Sequence, residues 1–480
     1  MTRSRTVLLA SVAALFVAAA PASAETLRGA LAKAYNSNPT LTGARAAQRA
    51  TDENVPIQKA SGRPSIGTQA QFQEVLIRPA NNFFAPDRSA AGSASLDVPI
   101  YSGGAVRNSV KAAKIRVEAG QANLLATEAS LFSQTVAAYM DVIRDSAIVA
   151  LNRANVNVLE VNLQATNDRF EVGDLTRTDI AQSESRLALA RSDLQTAEAS
   201  LITSRENYIA LVGEAPDNLE APPVLPGLPA TPESAVQVAL ADNPDILAAK
   251  KSREAAGVDV KVAKAATLPT LSAFTQGSYT HYLGSEGAGS APWQKNVVAG
   301  VTATLPLYQG GRPAAQVRQS QARESQAIEG AIEVERGVIA QTRAAFASWQ
   351  ASLQTIQSSQ KAVDAASLSL EGVRAENTVG SRTILDILNA EQEALSARVQ
   401  LVSARRNAYV AGFSLLAAMG HAQADDLGLE GGPLYDPAKN YDRVKGKWFD
   451  WDYDKAPMPV ATRTVDTPAQ TANVSATAAD

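Results

Sequence analysis

The stretch Leu305–Gly311 reads "LPLYQGG", and Val98–Gly104 reads "VPIYSGG". In each, an apolar run closes on a glycine pair and opens into a long helical pattern, as expected where a strand turns a corner into a helix. Pro306 and Pro99 stand 207 positions apart, and so do Gly380 and Gly173, Asp386 and Asp179, and Gly420 and Gly213. Nearer the N-terminus the offset is 205, relating Pro269 in "ATLPTLS" to Pro64 in "SGRPSIG", and Asn243-Pro244 to Asn38-Pro39. A constant offset at separate landmarks marks an internal duplication. The chain divides into a leader over 1–24, a first repeat over 25–213 and a proline-rich linker over 214–232. A second repeat over 233–420 and a C-terminal segment over 421–480 complete it. Each repeat is expected to run short helix, strand, strand, very long helix, turn, helix.

The leader "MTRSRTVLLASVAALFVAAAPASA" has a basic start, an apolar run from Val7 to Ala20 and the small-residue pattern Ala22-Ser23-Ala24. It reads as a secretory signal peptide cleaved before Glu25. Its apolar run is shorter than the ~20 residues of a spanning helix. The best later candidate, Ala408–Met419, is shorter still and is interrupted by Gly412 and Ser414. The expectation is an exported chain without a transmembrane helix. The absence of cysteine excludes disulfides, thiol chemistry and a lipid-anchored N-terminus. Removing Arg3 and Arg5 from 44 basic residues leaves 42 against 48 acidic, a net charge of −6. That mild acidity gives no reason to expect nucleic acid as a partner. With 45% hydrophobic but only 5% aromatic residues, thin alanine-rich helix packing is expected rather than a thick core.

Apolar residues fall at heptad spacing in the second repeat, with Ile339, Phe346 and Leu353 on one position. Trp349, Ile356, Val363 and Leu370 occupy the other. The first repeat matches this with Phe132 and Tyr139, then Val142, Val149, Val156 and Leu163. Such spacing predicts coiled-coil-like packing. The long helix of the second repeat is expected from about Pro313 to Asn377. At ~1.5 Å per residue it reaches on the order of 100 Å. Four segments alternate as strands. Ser65–Ile77 sets Ile66, Ala70 and Phe72 against Gln69, Gln71 and Gln73. Ser93–Ile100 sets Ala94, Leu96 and Val98 against Ser93, Ser95 and Asp97. Asn296–Leu307 sets Val297, Ala299, Val301 and Ala303 against Asn296, Thr302 and Thr304, and Leu271–Tyr282 is a less regular fourth. Each is near the ~10 residues of a tilted membrane-crossing strand, with one apolar and one polar face. Four strands are about half the smallest closed barrel. A spanning reading therefore requires several chains to share one barrel, and three chains supply twelve strands.

Between the helices of each repeat lies a turn, "VGDLTRTDI" from Val172 and "VGSRTILDIL" from Val379. Gly173 and Gly380 suit the left-handed end of a helix. Thr176 to Asp179 and Thr383 to Asp386 have the spacing of a capping box. Catalysis has little to build on. His281 and His421 belong to no metal-spaced cluster, and the glycine pairs lack the Lys-Ser/Thr of a phosphate loop.

The leader, the duplicated strand-strand-helix unit, "LPLYQGG" before a long helix and "VGSRTILDIL" at a helical turn together resemble the TolC family of outer-membrane channel-tunnels. The resemblance covers roughly Glu25 to Gly420. It implies a mixed α and β membrane protein: a homotrimer whose twelve-stranded outer-membrane barrel continues into a long helical periplasmic barrel in a Gram-negative bacterium. The implied partners are a periplasmic adaptor (membrane fusion protein), an inner-membrane ABC or RND transporter, and outer-membrane lipid. The cargo is proteins, by type I secretion, or drugs and other small molecules. No cofactor or metal is implied.

On this resemblance Asp386 matches the first of two entrance aspartates, and Asn389 stands where the second belongs. Crowded carboxylates raise one another's pKa and bind cations. One ring of aspartates backed by one of amides should therefore favour cations less strongly than a double ring. Arg382 is expected to latch Thr178 or Asp179 of a neighbouring hairpin. Val172, Gly173, Asp174, Val379, Gly380, Ser381 and Thr383 form the tips for adaptor contact. The segment Pro433–Asp454 resembles the stretch after the last helix in type I secretion members, and disorder is expected from about Lys455. The competing reading is a soluble periplasmic coiled-coil adaptor or scaffold.

Overall fold

In a computed structural model, residues 25–77, 87–283, 292–429 and 434–474 are described. The expected leader lies outside the described residues. The first repeat contains helices α1 (Leu27–Ser37), α2 (Pro39–Asp52) and α3 (Asn54–Ala60), strands β1 (Ser65–Glu74) and β2 (Arg88–Ser102), and helices α4 (Ala105–Glu171) and α5 (Arg177–Val212). The second contains α6 (Pro232–Asp242), α7 (Pro244–Lys264), β3 (Thr270–Leu283), β4 (Trp293–Thr304), α8 (Arg312–Thr378) and α9 (Ile384–Met419). A short α10 (Pro437–Val444) comes last. Helices α4 and α8 are 67 residues each, and α5 and α9 are 36 each. Every boundary of these four helices obeys the 207-residue offset.

The corner glycines explain themselves. Gly103 and Gly104 have φ of 61° and 83°, and Gly310 and Gly311 have 63° and 81°. Two successive left-handed residues carry the chain into a helix, directly from β2 at the first corner and after the non-strand stretch 305–309 that follows β4 at the second, a path that a Cβ strains at each step.

The strands form one antiparallel sheet in the order β1-β2-β3-β4. Residues directly opposite one another share a face. Ile66 faces Leu96, which faces Thr275, which faces Ala299. The next rows on that face are Val98, Ala273 and Val301, and Thr68, Ala94, Gly277 and Val297. The opposite face carries Gln69, Ser93, Ser278 and Asn296 in one row, and Gln71, Ala91, Thr280 and Gln294 in another. The alternation read in the sequence thus becomes one apolar and one polar face. The sheet stays open, and β1 and β4 each have a partner on one side only among the described residues.

The long helices pack as α4 with α5 and α8 with α9, and α7 lies beside both α4 and α8. The largest core gathers Leu31, Tyr35, Phe132, Tyr139, Leu201 and Tyr208 from α1, α4 and α5. Along the predicted seams Phe132, Tyr139, Val142, Val149 and Val156 are buried, as are Phe346 and Leu370. Leu353 departs from its seam and is 41% exposed. Helix α8 packs on α6, α7 and α9, and seven of its 67 residues are buried.

The C-terminal segment also differs from expectation. Instead of loosening at about 455, it continues along the first repeat to Val474, held mainly by backbone atoms. The Arg205 guanidinium donates to the Thr471 carbonyl and, at 2.8 Å, to that of Asn473. The Gln470 amide donates to Glu206 Oε1 at 3.1 Å. Ala472 and Val474 also pack against the main core, so partners far away in sequence, which composition does not reveal, hold the segment.

Candidate functional site

Both hairpin tips are built by the same local chemistry. Helix α4 ends where Gly173, at φ 86°, lets its own amide donate to the Phe170 carbonyl and the Asp174 amide to the Arg169 carbonyl, each at 2.9 Å. At the second tip Gly380, at φ 81°, repeats this with donations to Asn377 and Glu376, both 3.0 Å. A Cβ at either glycine meets nothing within 4 Å. Only backbone conformation requires glycine there.

Each helix beyond the turn opens on a complete capping box. The Asp179 Oδ2 accepts from the Thr176 amide at 2.8 Å and from the Thr176 hydroxyl at 2.7 Å. The Asp386 Oδ2 accepts from the Thr383 amide at 2.9 Å and its hydroxyl at 2.8 Å. These amide donors, then the hydroxyls, hold both carboxyls below the ordinary aspartate range, and Arg382 adds a smaller pull at Asp386. Within one chain the direction is therefore opposite to that expected of crowded carboxylates. In the single chain, hydrogen bonding to the charged form sets the direction.

The tips differ in how they are braced. Arg169 donates to Asp174 Oδ2 at 2.7 and 2.9 Å, closing the first turn. The position equivalent to Arg169 is Glu376, 207 residues on, and it accepts from Arg382 Nε at 2.7 Å. The same brace is thus made with the charges reversed. Its Glu376 partner raises the Arg382 pKa further. Arg382 does not meet Thr178 or Asp179 within the described chain: Thr178 is exposed and Asp179 is held by its cap. Val172 and Val379 project from their tips, each 79% exposed.

One contact escaped the sequence. Arg186 on α5 donates from Nη2 to the Asn389 Oδ1 on α9 at 2.7 Å, tying the two hairpins of one chain together. A second charged contact, between Arg374 and Glu391, ties α8 to α9 one turn away. The partners of the first lie 203 positions apart. Nothing local announces such a pair, although an arginine one to two turns beyond a capped tip is the residue type that could have suggested it.

The chain matches the model for outer membrane efflux proteins over residues 30–214 and 235–421, one match per repeat. It is 35% identical over 428 residues to the outer membrane efflux protein BepC of Brucella suis, covering 89% of this chain and 92% of that protein. It is 28% identical over 422 residues to the outer membrane protein TolC of Escherichia coli, covering 84% of each. The solved outer membrane channel CmeC of Campylobacter jejuni shares the fold with a TM-score of 0.73 at 16% identity, covering 88% of this chain and 89% of that one. These relatives are channel proteins rather than enzymes, and they place the chain at the outer membrane. The chain belongs to the outer membrane efflux protein family, the TolC family, whose fold class joins an outer-membrane β-barrel to a long helical barrel.

Proposed function

We propose that three copies of this chain close a twelve-stranded barrel and a continuous helical tunnel. The tunnel exports proteins or small molecules handed to it by an inner-membrane ABC or RND transporter through a periplasmic adaptor. The observation that carries this is the open sheet: among the described residues, four strands, two edges lacking a partner, one apolar face and one polar face. An open sheet with an apolar face in lipid leaves unpaired backbone groups that further copies must satisfy. Family membership weighs against the soluble adaptor or scaffold.

Under this reading the hairpin tips form the periplasmic entrance. Asp386 presents a ring of three carboxylates with Asn389 a turn behind, and Val172, Gly173, Asp174, Val379, Gly380, Ser381 and Thr383 form the crown that meets the adaptor. Arg382 exchanges Glu376 for Thr178 or Asp179 of a neighbouring hairpin when the entrance is latched. Arg186, bonded to Asn389, adds a cation beside the amide ring and offsets part of the acidic field.

Single-channel recording in planar bilayers tests these roles. Asp386→Asn lowers cation preference and weakens block by multivalent cations, Arg186→Gln raises cation preference, and Arg382→Ser raises conductance. Unchanged selectivity in the first two together with unchanged conductance in the third reduces these residues to helix punctuation.

A further inference from the structure

The loop Lys445–Asp454 after α10 gathers Trp448, Phe449, Trp451 and Tyr453, which are 57%, 75%, 82% and 81% exposed. Four aromatic side chains within six residues are conspicuous in a chain that is 5% aromatic. The loop is nevertheless firmly held. Val444 is fully buried, and Tyr441 on α10 packs against Val55, Ala113 and Val117. Lys59 Nζ donates to the Lys445 carbonyl at 2.6 Å, and Arg63 Nη1 to the Lys447 carbonyl at 2.7 Å. The Arg63 guanidinium lies 4.3 Å from the centre of the Trp448 ring. Asp452 and Asp454 are paired with Lys447 and Arg443, so the loop's acids are largely compensated. The fold therefore invests contacts in displaying aromatic rings to their surroundings.

The height of the loop identifies what covers it. Arg63 stands two residues before Ser65, where β1 begins, and Ser65 is opposite Asp97 on the strand that runs on to Tyr101 and the glycine corner. At the far end of the same sheet Tyr279, Trp293 and Lys295 cluster on the apolar face, with the Lys295 ammonium 5.1 Å from the Trp293 ring centre and 5.9 Å from that of Tyr279. From Thr270, opposite Ser102, to His281, opposite Trp293, β3 advances 11 residues. That is roughly 37 Å along the strand at ~3.4 Å per residue. At a tilt of ~40° the rise is about 28 Å, close to the ~25 Å apolar band of an outer-membrane barrel. The far cluster then marks one membrane boundary, and the level of Tyr101 and Arg63 marks the other.

We propose that Trp448, Phe449, Trp451 and Tyr453 form a lipid anchor. It seats in the headgroup–acyl boundary of the periplasmic leaflet of the outer membrane, beneath the barrel. Indole and phenol rings favour this layer because one part of each ring is apolar and the other makes hydrogen bonds. Such a collar fixes the depth at which the barrel sits and braces the helical tunnel against tilting. The inference rests on the reading of β1–β4 as membrane-spanning.

The four tryptophans, Trp293, Trp349, Trp448 and Trp451, allow both to be tested on the full chain in phospholipid nanodiscs. One variant, W349F/W448F/W451F, keeps Trp293 on the barrel, and a second, W293F/W349F, keeps the loop pair. Lipid bearing a nitroxide near the headgroup should quench both variants by about twofold, as interfacial indoles require. Aqueous acrylamide should quench the loop pair less than free tryptophan. If Trp293 is quenched by nitroxide lipid but the loop pair is not, the anchor is overturned, with acrylamide then separating a solvated loop from one covered by a neighbouring copy. If Trp293 itself escapes the nitroxide, the spanning reading fails first and the anchor falls with it.

Discussion

Helices α4 and α8 have the same length, the same entering glycine pair and the same capped turn at the far end, yet their surroundings differ. Within one chain α4 buries 24 of its 67 residues and α8 buries seven. Duplication copied a backbone, and packing then diverged around it. Helix α4 is an inner wall against α1, α2, α3, α5, α7 and α9, whereas α8 is an edge that packs on α6, α7 and α9 with far fewer buried residues. Equivalent positions show the divergence in single side chains. The Tyr139 hydroxyl lies 2.8 Å from the Glu25 carbonyl and 2.7 Å from that of Glu220, where it ties the chain's start to the linker. Its equivalent 207 residues on is Phe346, which meets the Trp349 ring edge-on at 5.9 Å and has no hydroxyl to make such a tie.

The comparison is most easily broken in the core. Phe132→Ala removes a fully buried ring and should cost about 3–5 kcal/mol in chemical denaturation. Leu353→Ala, on the α8 edge, should cost about 1 kcal/mol or less in the dissociated chain and should instead weaken assembly. Similar losses at both positions would erase the distinction between wall and edge.

Both halves contribute to one apolar face of the sheet, and that face sharpens the contrast. Val301 and its equivalent Ala94 share the apolar face. Arginine at either should cost about 2–4 kcal/mol if that face meets lipid at mid-depth. Thr302→Arg, one residue on, should be tolerated, as urea titration of the refolded protein in liposomes will report. Equal damage from Val301→Arg and Thr302→Arg contradicts the assignment of faces.

Smaller effects belong to single hydrogen bonds. Tyr139→Phe removes the one hydroxyl shared by the Glu25 and Glu220 carbonyls, of which Glu25 keeps the Glu220 amide as donor, and should cost on the order of 1 kcal/mol in the same titration, whereas Phe346→Tyr gains nothing comparable. At the tips, Asp179→Asn and Asp386→Asn should lower thermal stability slightly and equally, since their capping boxes match. Both carboxyl pKa values are depressed in the fold. Their contribution is therefore fully present above the unfolded value of about 3.9 and is lost as pH falls through the lower folded value. The Asn variants should differ from the parent at neutral pH and converge with it in acid.

Much of this was legible in the residues because it is local or periodic. The strand alternation and the Gly and Thr-x-x-Asp signatures depend on neighbours close in sequence, and the 207-residue offset is a repeat that can be read without the fold. What escaped depends on juxtaposition. The Arg186–Asn389 tie needs two hairpins already side by side, and the charge-reversed braces need both turns in hand before Arg169 and Glu376 can be compared. Leu353 kept its heptad spacing yet is 41% exposed, because spacing alone does not say which helix covers a position. Arg382 pairs with Glu376 within its own turn, a contact the turn's spacing did not announce.

The claim on which the rest depends is that copies of this chain complete its open sheet and its uncovered helix. The chain contains no cysteine, so introduced ones report cleanly. Thr68→Cys on β1 and Val297→Cys on β4 lie at opposite edges of the same sheet, three strand spacings or about 14 Å apart within one chain. A short bis-maleimide applied to outer membranes carrying the double variant should join the edge of one copy to that of the next. The resulting ladder on denaturing gels should contain one, two and three chains and then stop. A ladder that runs past three, or only uncoupled chains from intact membranes, contradicts a closed barrel of three copies.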